Sequence, residues 1–309
     1  MDIAFDTNFV LSTGSPEPYL KLLSEAGFTH LHWCHHWNTD FLYSKSEIAK
    51  CAEWLKTYGL KLLDIHGSEG KEKNWASLEE YERKSGVELV INRVEMFAEL
   101  QGSGSVVMHI PWYRTVTTEE QRKVITSHHE ALKRSLDELM PVLEKNQVRI
   151  AVENTVCDTF ETIADLLSTY PEEYLGFTYD SGHGNVGDRW TFDPPHPGEG
   201  LDYLDQWKHR LQAVHLHDND GLSDCHQPPF MGTVDWERLA KIIAESSYVA
   251  PGKDGFIRPM SYEVLIQQTP YWNPELKPEE QPENKLREFL ADAYTRCEKF
   301  SRMVAANRS

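Results

Sequence analysis

Val148-Arg149-Ile150-Ala151-Val152-Glu153-Asn154-Thr155 is a short β-type run that ends in a carboxylate. In an extended chain Ile150 and Val152 share one face, and Ala151 and Glu153 share the other. A carboxylate that closes a buried strand is costly unless positive charge meets it. The arrangement returns three times. Asp180, His215 and Glu263 follow at intervals of 27, 35 and 48 residues, each at a short apolar run. Every interval holds about one strand-plus-helix unit, so the four side chains read as strand ends on one face of a parallel α/β barrel.

The rest of the chain keeps this rhythm. Strands are predicted at residues 3–5, 28–36, 61–65, 105–108, 175–179, 213–216 and 261–265, besides the run that ends at Glu153. Helices are predicted at 16–26, 44–59, 87–100, 118–145, 160–170, 201–211, 236–246 and 283–306. Ser44 with Glu47 forms a capping-box pair, Asp235 is a second N-cap, and Gly27, Gly59 and Gly102 end helices. The expectation is a (β/α)8 TIM barrel, α/β in class, with residues 1–309 as one domain. No domain linker, low-complexity tract or internal repeat interrupts it. Proline-rich loops at 193–200 and 269–282 follow strands and so belong to the face that carries sites in this fold.

The formal net charge is −18, from 49 acidic against 31 basic residues. Without a cluster of Lys and Arg, such a chain repels a phosphate backbone, which disfavours nucleic acid as a partner. No stretch approaches the ~20 apolar residues of a membrane helix, so a membrane is not an expected partner. Met1-Asp2-Ile3-Ala4-Phe5-Asp6 lacks the features of a signal peptide, and five scattered cysteines without a CxxC suit reduced thiols. A cytoplasmic location is expected, with homo-oligomerisation left open.

Three carboxylates cannot share a dry pocket as anions, so a divalent cation is the simplest counter-charge for Glu153, Asp180, His215 and Glu263. Their donor set favours Mn²⁺, Mg²⁺ or Co²⁺ and admits Zn²⁺ through the imidazole. His217 shares its strand parity with His215, so the pattern leaves open which of them is the ligand. Trp37, Trp75, Trp112, Trp190 and Trp272 are expected in loops after strands, where indole faces can pack on the C–H faces of a sugar. Cys157 and Cys225 lie near these runs but show no nucleophile arrangement.

Ala151-Val152-Glu153-Asn154-Thr155, Tyr179-Asp180-Ser181-Gly182-His183, His215-Leu216-His217-Asp218 and Ser261-Tyr262-Glu263 resemble the motifs of the xylose isomerase-like TIM-barrel superfamily. That superfamily includes sugar isomerases, ketose 3-epimerases and the endonuclease IV family, and the resemblance spans nearly the whole chain. Similarity to the epimerases implies that Glu153, Asp180, His215 and Glu263 hold one metal. It further implies that Glu153 and Glu263 act as an opposed acid/base pair, with His183 on the substrate. The epimerases carry an arginine shortly after the metal histidine, about where Gly221 stands here. Similarity to the endonuclease IV family implies additional ligands at His66, His109, His183, Asp224 and His226, enough for three zinc ions. In a sugar-processing relative, His66, His109, His183, His217 and Trp112 would instead contact the substrate. The expected activity is a metal-dependent sugar isomerase or epimerase of carbohydrate metabolism, with manganese a natural ion. The alternatives are a lyase acting on 3-keto glycosides and a trinuclear zinc phosphodiesterase.

Overall fold

The computed structural model describes residues 2–111, 118–156, 160–190, 198–249 and 258–308, the side chains of 187–190 excepted. Eight short strands pair in parallel: β1 (Ile3–Asp6), β2 (His30–Trp33), β3 (Lys61–His66), β4 (Val106–His109), β5 (Ile150–Glu153), β6 (Leu175–Asp180), β7 (Leu211–His215) and β8 (Met260–Tyr262). Between them run α1 (Glu17–Ala26), α2 (Lys45–Tyr58), α3 (Glu80–Glu99), α4 (Glu119–Asn146) and α5 (Phe160–Thr169). Two helices, α6 (Ser181–Trp190) and α7 (Glu199–Trp207), separate β6 from β7. Then come α8 (Trp236–Ala244) and, after β8, α9 (Glu283–Ala306). The sheet order is β7-β6-β5-β4-β3-β2-β1-β8. Just past the two edge strands, Leu216 N–H donates to Ser261 O at 3.0 Å and Glu263 N–H to Leu216 O at 3.3 Å. These bonds bring the ring to near closure, and the molecule is a (β/α)8 TIM barrel.

Alternation along each strand sorts side chains between two environments. Ile150, Val152 and Phe177 face the helices within the main apolar core, where each buried side chain contributes about 1.5–3 kcal/mol. Val107, Ala151 and Ala213 form a small separate cluster inside the barrel. The same alternation sends Asp6, His32, Asp64, Thr178 and Ser261 inward, and all of them are buried. The barrel interior is therefore polar below its mouth as well as at it.

Capping follows the sequence reading at α2 and α8, whereas α3 ends at Glu99 and it is Gln101 (φ 56°), not Gly102, that takes the left-handed conformation after it. Ser44 N–H donates to Glu47 Oε2 at 2.7 Å while Ser44 Oγ accepts Glu47 N–H at 3.3 Å, and Gly59 ends α2 at φ 66°. The Asp235 carboxylate accepts Arg238 N–H at 3.0 Å at the start of α8. Several boundaries differ. Helix α3 starts at Glu80 rather than 87, because buried Arg83 ties its polar first turns to Glu80, and to Ser135 and Glu138 on α4. Strand β2 stops at Trp33, and the chain reverses at His36 in the left-handed region (φ 61°). Strand β8 stops at Tyr262, one residue before Glu263. Helix α6 is absent from the sequence reading, since Gly182, Gly184 and Gly187 lower helix propensity there. Cys34, Cys51, Cys225 and Cys297 are unpaired, and Cys157 lies outside the described residues. No helix among the described residues is long and apolar enough to cross a membrane.

Candidate active site

A parallel barrel delivers the last inward residue of each strand to one mouth. Glu153 ends β5, Asp180 ends β6, His215 ends β7 and Glu263 follows β8. Donor atoms of these four buried residues lie within 4.8 Å of one another. His215 stands between the glutamates, its Nδ1 3.1 Å from Glu153 Oε1 and 3.2 Å from Glu263 Oε2. Asn154 locks this side: its side chain accepts Asp180 N–H at 2.9 Å and donates to Asp180 O at 3.1 Å. Asp180 Oδ1 accepts His183 N–H at 2.6 Å, which caps α6 and leaves Oδ2 bare. Both Glu153 oxygens and both His215 nitrogens are also buried without a hydrogen-bond partner. Three carboxylates and an imidazole converging with bare donor atoms fit a hard or borderline divalent cation.

Two further groups flank this quartet. His66, at the end of β3, and His109, at the end of β4, share Glu153, while His183, His217, Asp224 and His226 form the other group. Four of these imidazoles are fixed in the same way. The Nδ1–H groups of His66, His109, His183 and His226 donate to Gly67 O, Glu69 Oε2, Asn154 O and Glu263 O, each at 2.9 Å. Oxygens of this kind only accept, so the proton is on Nδ1 and Nε2 is turned toward the neighbouring donors. His66 Nε2 and His109 Nε2 face each other at 3.3 Å, a contact that needs a proton or a cation between them. Asp224 Oδ2 lies 3.2 Å from His183 Nε2 and 3.4 Å from His226 Nε2. His226 holds a left-handed backbone (φ 51°), a strained state for a non-glycine residue. Leu265 N–H, donating to His226 O at 2.8 Å, helps to hold it there.

Among the described residues, the ion-pair partners of Glu153, Asp180, Asp224 and Glu263 are all imidazoles. Burial opposes charge on His109, yet Glu153 and Glu69 push it up to about 10. Burial likewise opposes charge on His226, and Asp224 pushes it up to about 10. Burial and the neighbouring His109 drive His66 down to about 3, so the His66–His109 pair keeps its shared proton on His109. Against their burial, Glu153 is held well below the usual carboxylate range by His215 and His109, and Glu263 by His215. Imidazolium thus balances the carboxylates in the ion-free chain. A divalent ion supplies the same charge with the imidazoles neutral.

The geometry separates His215 from His217. His215 joins the carboxylate quartet, while His217 Nε2 sits 3.0 Å from Asp180 Oδ1 in the group with Asp224. The tryptophans divide too. Trp37 packs 4.5 Å from the His66 ring and 5.4 Å from His109. Trp75 is no lining residue: it is buried, and its Nε1–H donates to His109 O at 3.2 Å, anchoring the loop after β3. Trp190 ends α6 rather than lying in a loop, and Trp272 is half-buried against the core. Trp112 lies outside the described residues. Sequence reasoning missed Glu69, which orients His109, and the pair His32–Asp64, 2.6 Å apart. Both members of that pair had a visible signal, since Asp64 shares strand parity with His66 and His32 shares it with Cys34.

Residues 20–255 match the family model described as "Xylose isomerase-like TIM barrel". The uncharacterized protein y4fM of Sinorhizobium fredii is 32% identical over 276 residues, covering 82% of this chain and 84% of that protein. A solved D-tagatose 3-epimerase-like protein superposes with a TM-score of 0.64 at 22% identity, covering 94% of this chain and 99% of its own. The IOLI protein, solved with a zinc atom, gives a TM-score of 0.66 at 15% identity, covering 100% and 99%. At such identities the two structures speak for the fold. The sequence match decides membership: this chain belongs to the xylose isomerase-like TIM barrel family.

Proposed function

We propose that this protein is a divalent-metal-dependent isomerase or epimerase that enolises a keto sugar. One observation carries the reading: donor atoms of Glu153, Asp180, His215 and Glu263 meet at the barrel mouth, and both Glu153 oxygens, Asp180 Oδ2 and both His215 nitrogens are buried without a hydrogen bond. These four residues would hold Mn²⁺, Mg²⁺, Co²⁺ or Zn²⁺. When bound, the ion would polarise a sugar carbonyl and acidify the adjacent C–H. Glu153 and Glu263 lie on either side of His215, so each presents a carboxylate oxygen able to take a proton from carbon and return it. The ring nitrogens of His66, His109, His183 and His217 would orient sugar hydroxyls. Trp37, with Trp112 by its place in the chain, would offer packing surface to the ring. Unpaired thiols suit a reducing cytoplasm. A lyase acting on a 3-keto glycoside would use the same deprotonation.

A second reading, a trinuclear zinc phosphodiesterase, is favoured by the fixed imidazoles of His66, His109, His183 and His226 together with Asp224. The charge of −18 weighs against a polyanionic substrate. The test is incubation of Mn²⁺-loaded protein with ketoses and 3-keto glycosides in D₂O, followed by NMR. Loss of a C–H signal next to the carbonyl supports enolisation. Cleavage of an abasic duplex that disappears in His109→Ala and Asp224→Ala, with no exchange into any sugar, replaces it with the second reading.

A further inference from the structure

We propose that the buried pair His32–Asp64 positions His215 for metal binding, an inference that rests on the metal-dependent reading above. The pair lies below the mouth, where the register sets Asp6 beside His32 and His32 beside Asp64. Barrel interiors are usually filled by Val, Ile and Leu. Here an imidazole and a carboxylate occupy that space at 0% and 1% exposure, a costly choice that apolar packing would avoid.

The hydrogen bonding makes this choice intelligible. His32 Nδ1–H donates to Asp64 Oδ1 at 2.6 Å, so the ring turns a bare Nε2 away from Asp64. That Nε2 is buried without a partner. His215 presents Nδ1 to Glu153 and Glu263, and an imidazole that ligates through Nδ1 carries its proton on Nε2. His215 Nε2 is also buried without a partner. The two rings stand with centroids 4.2 Å apart at 56°, and His32, Asp64 and His215 offer donor atoms within 4.8 Å of one another. A bare acceptor on His32 and a bare donor on His215 are complementary. Donation from His215 Nε2–H to His32 Nε2 would link Asp64, His32 and His215 in one chain of hydrogen bonds. That chain fixes the His215 tautomer and raises the basicity of its Nδ1. His32 and Asp64 are thus positioning residues, acting through His215.

The test uses full-length protein and diamagnetic Zn²⁺. Affinity is measured by competition with a chelator for wild type, His32→Leu and Asp64→Asn. Loss of an outer partner of this kind weakens binding by about 10–100-fold. Both variants should show that loss, and ion-free melting temperatures report separately what it costs to leave the other member of the buried pair unpartnered. Affinities within about twofold of wild type overturn the inference while leaving the metal reading intact, and a wild-type chain that binds no ion overturns both. Should His32→Leu fail to fold, Asp64→Asn preserves side-chain volume, and histidine ¹⁵N NMR of the wild type decides independently. Zn²⁺ should protect the His215 Nε2–H and shift His32 Nε2 as a hydrogen-bond acceptor. A spectrum in which His32 itself becomes a ligand, or does not respond, contradicts the positioning role.

Discussion

Replacing Glu153 by glutamine preserves shape and removes one negative charge from the point where two donor groups meet. Its Oε1 is 3.1 Å from His215 Nδ1, and its Oε2 is 3.5 Å from His109 Nε2 and 3.9 Å from His66 Nε2. The consequence can be sized. An ion present at about 100 times its Kd stabilises the fold by about 2.7 kcal/mol. An unfolding entropy of about 2.1 cal/mol/K per residue gives about 0.65 kcal/mol/K for 309 residues, so Tm rises by about 4 °C. Glutamine offers a neutral oxygen where an anionic ligand stood. A roughly 100-fold loss of affinity brings the same Mn²⁺ concentration down to about Kd, where the gain is about 0.4 kcal/mol and the shift under 1 °C. The assay is a melting curve with and without Mn²⁺, repeated after chelation, on wild type and Glu153→Gln. Turnover should also fall by about 10²–10⁴-fold, as for the loss of a general base. A variant that keeps the full metal-induced shift would falsify the placement of Glu153 in the metal site.

Asp6 offers a pH test, since burial and then Glu263 push its carboxyl up to about 6 from 3.8. Its folded pKa is raised, so its contribution is fully present below about 3.8 and lost as pH rises through about 6, a swing of about 3 kcal/mol. Ion-free Asp6→Asn should therefore melt about 5 °C above wild type at pH 8 and converge with it near pH 4; an offset equal at both pH values would refute this. A Cβ at Gly182 would lie 1.9 Å from His217 Cε1, so Gly182→Ala should displace that ring and raise KM about tenfold or more, whereas an unchanged KM would detach His217 from the substrate. Trp37→Ala should raise KM about tenfold or more with kcat little changed, as expected for lost ring packing; a fall in kcat alone would point to a different role.

The barrel and its central quartet were legible because both follow from strand periodicity. An inward position recurs every second residue, and a strand end can be found from an apolar run that stops at a polar group. Asp180, Glu153 and His215 needed nothing more. Choosing between His215 and His217 required the path of the chain after β7, which a two-residue period cannot give. Trp75 was misread for a related reason. A loop tryptophan lines a pocket or anchors the loop according to where its N–H finds an acceptor, and that acceptor, His109 O, belongs to another strand. Helix α3 was cut short in the sequence reading because Arg83 becomes a core residue only when Glu138 and Ser135 of α4 are beside it. Helix α6 was hidden by its glycines, one of which, Gly182, is required by the approach of His217.

Ion content per chain tests the central claim most directly, measured by plasma mass spectrometry on protein purified without chelator and again after dialysis against Mn²⁺. The account expects one tightly held divalent ion per chain, lost in Glu153→Gln and in Glu263→Gln. Three ions per chain would transfer the function to the phosphodiesterase reading, and a chain that retains none under either condition would contradict a metal-dependent enzyme altogether.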